Sequence, residues 1–326
     1  MKQSLILLAG FWLAVSSPGR LLAWGDYGHH AIAQIALDNL SAPVSAKIAQ
    51  MINDAGYTSP NQLVLDGLGE HDSQEGYPSH ATMLEISGWP DYLLTRSKEF
   101  KVMTAPWHFI AIDRNVGETE AKESSFCRDN DCLPVQINQA LSNLSDNSIS
   151  VKKKFVSLAM LINLMGDIHQ PLNCTDDGDH NGREKFFVWS GPGGIRTLSL
   201  DLLWNNLLRS EPPTGNPSAY GKELEKKITA KDRQEWESGV ASDWAWESYQ
   251  IADTKIDNLA PFKYGPQNVE VDDLGNVVYR NGKPVITHQV PFPKAFYSAE
   301  YKHIVETQLE KSGIRLAWLL NSVLGN

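Results

Sequence analysis

The segment Met165-Gly-Asp-Ile-His-Gln-Pro-Leu-Asn-Cys174 sets a carboxylate, an imidazole and a thiol in one short stretch, and Asn163 lies one helical turn before Asp167 on the same face. Three further segments place a histidine or an aspartate beside tryptophan: Trp24-Gly-Asp-Tyr-Gly-His29, Gly88-Trp-Pro-Asp91 and Pro106-Trp-His108-Phe109. Aspartate and neutral histidine are suitable zinc donors. Taken singly each is weak evidence, because a lone buried histidine is usually a satisfied core residue. His169 and His180, the latter beside Asp176, Asp177 and Asp179, could form a further cluster, but a solvated acidic loop is the plainer expectation there.

The elements that must carry these residues are mostly helical. Apolar residues recur at helical spacing through 32–40, 44–52, 135–144, 155–165, 198–208, 224–228, 236–251 and 297–324. Ser41-Ala-Pro43 separates the first pair, Ser150 opens the fourth run, and Gly325 follows the last. Strand signals are confined to residues 185–189 and to 277–285, where Asn281-Gly282 predicts a hairpin turn. No repeat or low-complexity tract interrupts the pattern, which predicts one all-α domain over residues 24–326 with small hairpins.

With 326 residues and 42% apolar content, the chain can bury a substantial core. Residues 1–23 carry Lys2, an apolar run over 5–15 and a tail ending at Ala23, the pattern of a signal peptide; the run is too short to span a bilayer. Its removal takes away Lys2 and Arg20 and moves the formal net charge from -10 to -12. So acidic a body repels polyanions at long range, so bound metal or a local patch must attract any nucleic-acid or phosphate-ester partner. Cys127 and Cys132, separated by the polar Arg-Asp-Asn-Asp, are expected to close a small disulfide loop in an oxidising compartment. Cys174 is left over, either a buried small residue or a soft metal ligand.

Taken together and in order, these motifs resemble the secreted S1/P1 nuclease family. The resemblance covers nearly the whole chain after residue 23 and includes Trp244-Ala-Trp-Glu-Ser248 and Gly313-Ile-Arg-Leu-Ala-Trp-Leu-Leu-Asn321, both read as packing elements. It implies the all-α fold of the phospholipase C/P1 nuclease type and a zinc centre that works on phosphoester bonds. The ligands it implies are the amine and carbonyl of Trp24 at a free N-terminus, His29, Asp91, His108 and Asp167. An amide nitrogen is a very poor zinc ligand and a deprotonated amine a good one, so the Trp24 role requires cleavage after Ala23. In such a centre paired ions activate water and clamp a phosphoryl group for in-line attack; Asp91 orients the water, and Phe109 offers a stacking face for a base.

Four of nine ligand positions depart from the family pattern. Asn163 and Asn173 stand where it has histidines, and in Leu200-Asp-Leu-Leu-Trp-Asn205 a histidine and an aspartate have become Asp201 and Asn205. The third-ion trio is therefore Asn173, Asp201 and Asn205, an oxygen-only set better suited to a hard divalent cation than to zinc, but thin for calcium. One or two zinc ions are expected rather than three. Two support positions have also changed: Leu94 replaces an arginine, with Arg96 two residues on, and Asn181-Gly182-Arg183 stands where the family has Gly-Gly-Asn. The expectation is a secreted or periplasmic monomer, off the membrane after cleavage, with weak or altered activity on single-stranded nucleic acid or 3′-nucleotides. A pseudoenzyme that binds a partner in the old cleft, and a phospholipase C-like esterase, are the alternatives.

Overall fold

The computed structural model describes residues 24–57, 81–122, 126–191, 194–205, 216–257, 264–293 and 298–325. Residues 1–23, Tyr297 and residues 206–208 lie outside these, so the expected signal peptide and the ends of two apolar runs do too.

Helix α1 (Gly25–Asp38) leads into α2 (Ala42–Ala55), with Ser41 at the cap and Pro43 in the first turn. Three short helices follow: α3 (Met83–Ile86), α4 (Trp89–Arg96) and α5 (Lys98–Thr104), then a 3-10 turn (Ala105–His108) and α6 (Glu118–Ala121). Next come α7 (Leu133–Ser145) and α8 (Val151–Ile168), the latter capped by Ser150, whose Oγ accepts from Lys153 N at 3.3 Å. An antiparallel hairpin of β1 (Phe186–Gly191) and β2 (Gly194–Ser199) runs directly into α9 (Leu200–Asn205). Then come α10 (Pro217–Glu225), α11 (Ala230–Trp236), α12 (Ala241–Ile251), a π-helical extension (Ala252–Asp257), a second hairpin of β3 (Tyr279–Arg280) and β4 (Lys283–Pro284), and α13 (Ala299–Leu324).

The core is built on α8. Every residue from Leu158 to Ile168 is buried, and α1, α2, α4, α7, α12 and α13 all pack against it. A helix hydrophobic all round is stable only when it is enclosed in this way. Helix α1 nests beside it and is clasped closely by α13: a Cβ on Gly313 would lie 2.5 Å from Ile35 Cβ, so only a hydrogen fits there.

The expected all-α fold with small hairpins is what forms, with three local corrections. The run 198–208 does not begin as a helix, because Leu198 and Ser199 complete β2 before α9 starts. The run 236–251 is two helices, broken after Trp236 where Gly239 adopts φ +83. The run 224–228 is the end of α10, which begins at Pro217 with the Asn216 side chain capping Ala219 N at 2.8 Å. Helices α3 to α6 lack an apolar stripe long enough to register as a period; α3 is set by a capping box between Thr82 and Glu85.

One ion-pair network ties the late helices to the core. Glu247 on α12 meets Arg315 on α13 at 2.7 Å and Lys311 at 3.1 Å, and Arg315 Nη1 also donates to His169 Nε2 at 2.9 Å. Burial alone would raise the Glu247 carboxyl, but the Arg315 hydrogen bonds and charge, with Lys311, hold it at about 2 instead of 4.5. A carboxylate depressed in the folded state stabilises it above the unfolded pKa, and that contribution disappears as pH falls through the folded pKa. Glu247→Gln is therefore expected to be less stable than wild type at pH 7, with the gap closing between about pH 4.5 and 2. Denaturant midpoints across this range check it; a gap that stays constant refutes the network's role.

Candidate metal centre

Four buried side chains converge from four separate elements. His29 comes from the second turn of α1, Asp91 from the first turn of α4, His108 from the end of the 3-10 turn, and Asp167 from the last turn of α8. Asp91 sits where the unpaired N–H groups of a helix start favour negative charge. His29 reaches its place because Gly166 has no side chain: a Cβ there would lie 2.5 Å from His29 Nδ1.

His29 Nε2 is 3.3 Å from Asp91 Oδ2 and 3.7 Å from Asp167 Oδ1, and His108 Nδ1 is 2.7 Å from Asp167 Oδ2 and 4.0 Å from Asp91 Oδ1. His108 Nδ1 is hydrogen-bonded to Asp167 Oδ2, and its Nε2 has no hydrogen-bond partner. Burial, with the positive charges of His29 and Arg183, lowers His108 to about 4, so it is neutral near pH 7. Burial would also lower His29, but the facing Asp91 and Asp167 carboxylates overcome this and raise it to about 9. Asp167 is pushed well above the carboxylate range, first by burial and then by the charge of Asp91.

The cluster leaves an unusual number of buried polar atoms without hydrogen bonds: both ring nitrogens of His29, both oxygens of Asp91, Asp167 Oδ1 and His108 Nε2. A buried polar atom left unpaired costs about 1–3 kcal/mol. Their donor types, two imidazoles and two carboxylates, suit zinc or a similar divalent ion. Ligand atoms of His29, Asp91 and Asp167 all lie within 4.8 Å of one another. This donor set fits a metal, and the bound ion would satisfy the orphaned atoms.

The other expected site residues are placed differently. Trp24 is buried, its main-chain N donates to Asn205 Oδ1 at 3.3 Å, and its indole donates to Gly166 O at 2.9 Å. Asn205 Oδ1 also accepts from Gln170 Nε2 at 3.1 Å. Asn163 donates to Ser87 O at 3.0 Å, while its Oδ1 is buried and unpaired. Asn173 lies in a 3-10 turn (Pro171–Cys174), its main chain bonded to Gln170 O and Ile110 N. Asp201 is buried and accepts from Ser199 Oγ.

Cys127 and Cys132 form the expected disulfide. Cys174 is fully buried and donates to Ile168 O at 3.5 Å, with burial raising its thiol, so it stays a protonated core residue rather than a ligand. His169 also lies outside the cluster, with Nδ1 on Met165 O at 2.8 Å and Nε2 on Arg315. The acidic loop, expected to be solvated, is buried at its centre. Asp177 and Asp179 are buried around a fully buried Lys185, 2.7 Å from Asp179 Oδ2, and Asp177 also meets Arg114 at 2.9 Å.

Arg183 was not expected at the site. Its guanidinium lies 5.1 Å above the Phe109 ring, next to His108, and occupies one face of the aromatic expected to stack a base. The only sequence signal was the departure at Asn181-Gly182-Arg183.

A mostly helical fold with a buried His-Asp-His-Asp cluster whose donor atoms are unpaired has the make-up of a metal centre. Residues 24–325 match the S1/P1 nuclease family model, and the chain belongs to that family. It is 23% identical over 308 residues to Endonuclease 3 of Arabidopsis thaliana, covering 93% of this chain and 89% of that protein. Endonuclease 4 of the same plant is also 23% identical, over 325 residues, covering 94% and 90%.

Adding zinc to the stripped protein should raise its thermal midpoint, by about 2.7 kcal/mol of stabilisation at a hundredfold excess over Kd. Asp167→Asn should lose most of this shift. Gly166→Ala, which drives a methyl into the His29 ring, should lose it as well. Equal zinc-induced shifts in all three proteins would disprove the site.

Proposed function

We propose that this protein is a secreted or periplasmic metal-dependent phosphoesterase that cleaves single-stranded nucleic acid or 3′-nucleotides. In this reading one or two zinc ions are held by His29, Asp91, His108, Asp167 and the main chain of Trp24. The observation that carries it is the set of orphaned donor atoms on four buried side chains converging from α1, α4, the 3-10 turn and α8. Bound zinc supplies Lewis acidity and lowers the pKa of water.

The residues of the chain do the remainder. Asp91, with both oxygens free of hydrogen bonds, is the group able to accept and orient a proton from the attacking water. Asp167 fixes the His108 ring through the 2.7 Å bond, so His108 presents Nε2 in a single tautomer. Cleavage after Ala23 would free the Trp24 nitrogen as an amine next to Asn205. Among the described residues no helix is long and apolar enough to cross a membrane.

The altered third-ion positions favour a second reading, a binding protein of the same fold, because Asn205 Oδ1 is already bonded to Trp24 and Gln170. Zinc-loaded protein should be assayed on single-stranded DNA, adenosine 3′-monophosphate and phosphatidylcholine. The expected result is turnover of the first two, falling by about a hundredfold or more in Asp91→Asn. Turnover of phosphatidylcholine alone would favour the phospholipase C-like alternative, and full zinc loading without turnover of any substrate would favour the binding protein.

A further inference from the structure

The three third-ion positions do not make a metal site. Asp201 offers the only carboxylate and is bonded to Ser199 Oγ, Asn205 Oδ1 accepts from Trp24 N and Gln170 Nε2, and Asn173 adds one amide. Calcium takes about six to eight oxygens, and zinc prefers nitrogen or sulfur donors. A cation of another kind stands beside these positions. We propose that the Arg183 guanidinium replaces the third ion and receives the substrate phosphate between His108 and Asp201. This inference rests on the phosphoesterase reading.

The backbone puts Arg183 there. Gly182 O accepts from both Leu200 N, at 3.0 Å, and Asp201 N, at 3.3 Å, so the residue before Arg183 is clamped to the turn that carries Asp201. The loop itself is rigidly determined. His180, Asn181 and Gly182 adopt successive positive φ of 54°, 60° and 80°. Gly182 N bonds Asp179 Oδ1 at 2.8 Å, and Asn181 Nδ2 bonds Thr175 O at 2.5 Å.

Charge accounting points the same way. Asp177 and Asp179 in this loop form ion pairs with Lys185 and Arg114 rather than with Arg183, which lies in the field of Asp201, Asp176 and Asp179. Its own Nε is buried without a hydrogen-bond partner, and the side chain is held from below by the Phe109 ring. A planar guanidinium matches phosphate oxygens in a fork, as an ammonium does not. The position where the family has an arginine is no substitute here: Leu94 is buried in the core, and Arg96 is exposed over the Tyr92 ring.

The test measures binding, not turnover. Inorganic phosphate is titrated calorimetrically into zinc-loaded wild type, Arg183→Gln, Arg183→Lys and Asp201→Asn, with zinc per chain counted by mass spectrometry on the same samples. The expected result is phosphate affinity about tenfold weaker or more in Arg183→Gln, partly recovered in Arg183→Lys, at unchanged zinc content. Two outcomes overturn the inference: equal phosphate affinity in wild type and Arg183→Gln at equal zinc, or a third zinc in wild type that disappears in Asp201→Asn and takes phosphate binding with it. Arg183-dependent phosphate binding in a protein that turns over no substrate would support the inference while rejecting the nuclease reading.

Discussion

The last turn of α8 is the part of the molecule on which the rest depends. A helix ends with carbonyls that have no partner within the helix, and a buried end must find partners elsewhere. Here they come from two other helices and from the first residue of the described chain. Ser312 on α13 donates to Met165 O at 2.8 Å, the Trp24 indole to Gly166 O at 2.9 Å, Ser248 on α12 to Ile168 O at 2.6 Å, and Gln308 to His169 O at 3.0 Å. Asp167 sits inside this ring of bonds, which pin the main chain on either side of it.

That rigidity is what allows two carboxylates and two histidines to be buried side by side. Charges taken out of water without partners are costly, and the protein meets that cost by geometry rather than by hydrogen bonds. Asp91 is carried by a short helix start, His29 by a helix that approaches α8 through Gly166, and His108 by the turn before Phe109. None of these elements is stabilised by the cluster alone; the long apolar faces of α1, α8 and α13 hold it in place. A site whose polar atoms are left unsatisfied by a fold this well packed is shaped for a ligand that arrives later.

The long helices were legible because their apolar period is sustained: α2, α7, α8 and α13 appear close to where residues 44–52, 135–144, 155–165 and 297–324 placed them. The four converging side chains were legible as motifs, although two of their elements, α4 and the 3-10 turn, carry too few apolar residues to be read as a helix or turn. What could not be read is tertiary. Lys185 looked like the start of a strand and turned out to be the buried partner of Asp177 and Asp179, because nothing local records that a loop folds back on its own acids. Arg183 was missed for the same reason: its position depends on Gly182 O bonding to Leu200 and Asp201, contacts between segments that sequence spacing does not connect.

Exchanging an ion for an arginine would not be chemically neutral, and the difference locates where this chain departs from its relatives. A guanidinium carries one positive charge and directed N–H donors, so it can orient a phosphate and screen its oxygens. It cannot act as a Lewis acid, lower the pKa of water or take a further ligand. Water activation would then fall wholly to the ions held by His29, Asp91, His108 and Asp167, and the Arg183 side would only hold substrate. The charge would also be permanent, attached to a loop pinned by Lys185 and the Asp201 backbone, and beyond the reach of a chelator. In a body with net charge -10, a fixed cation beside the cluster supplies the local attraction for phosphate that the overall field denies.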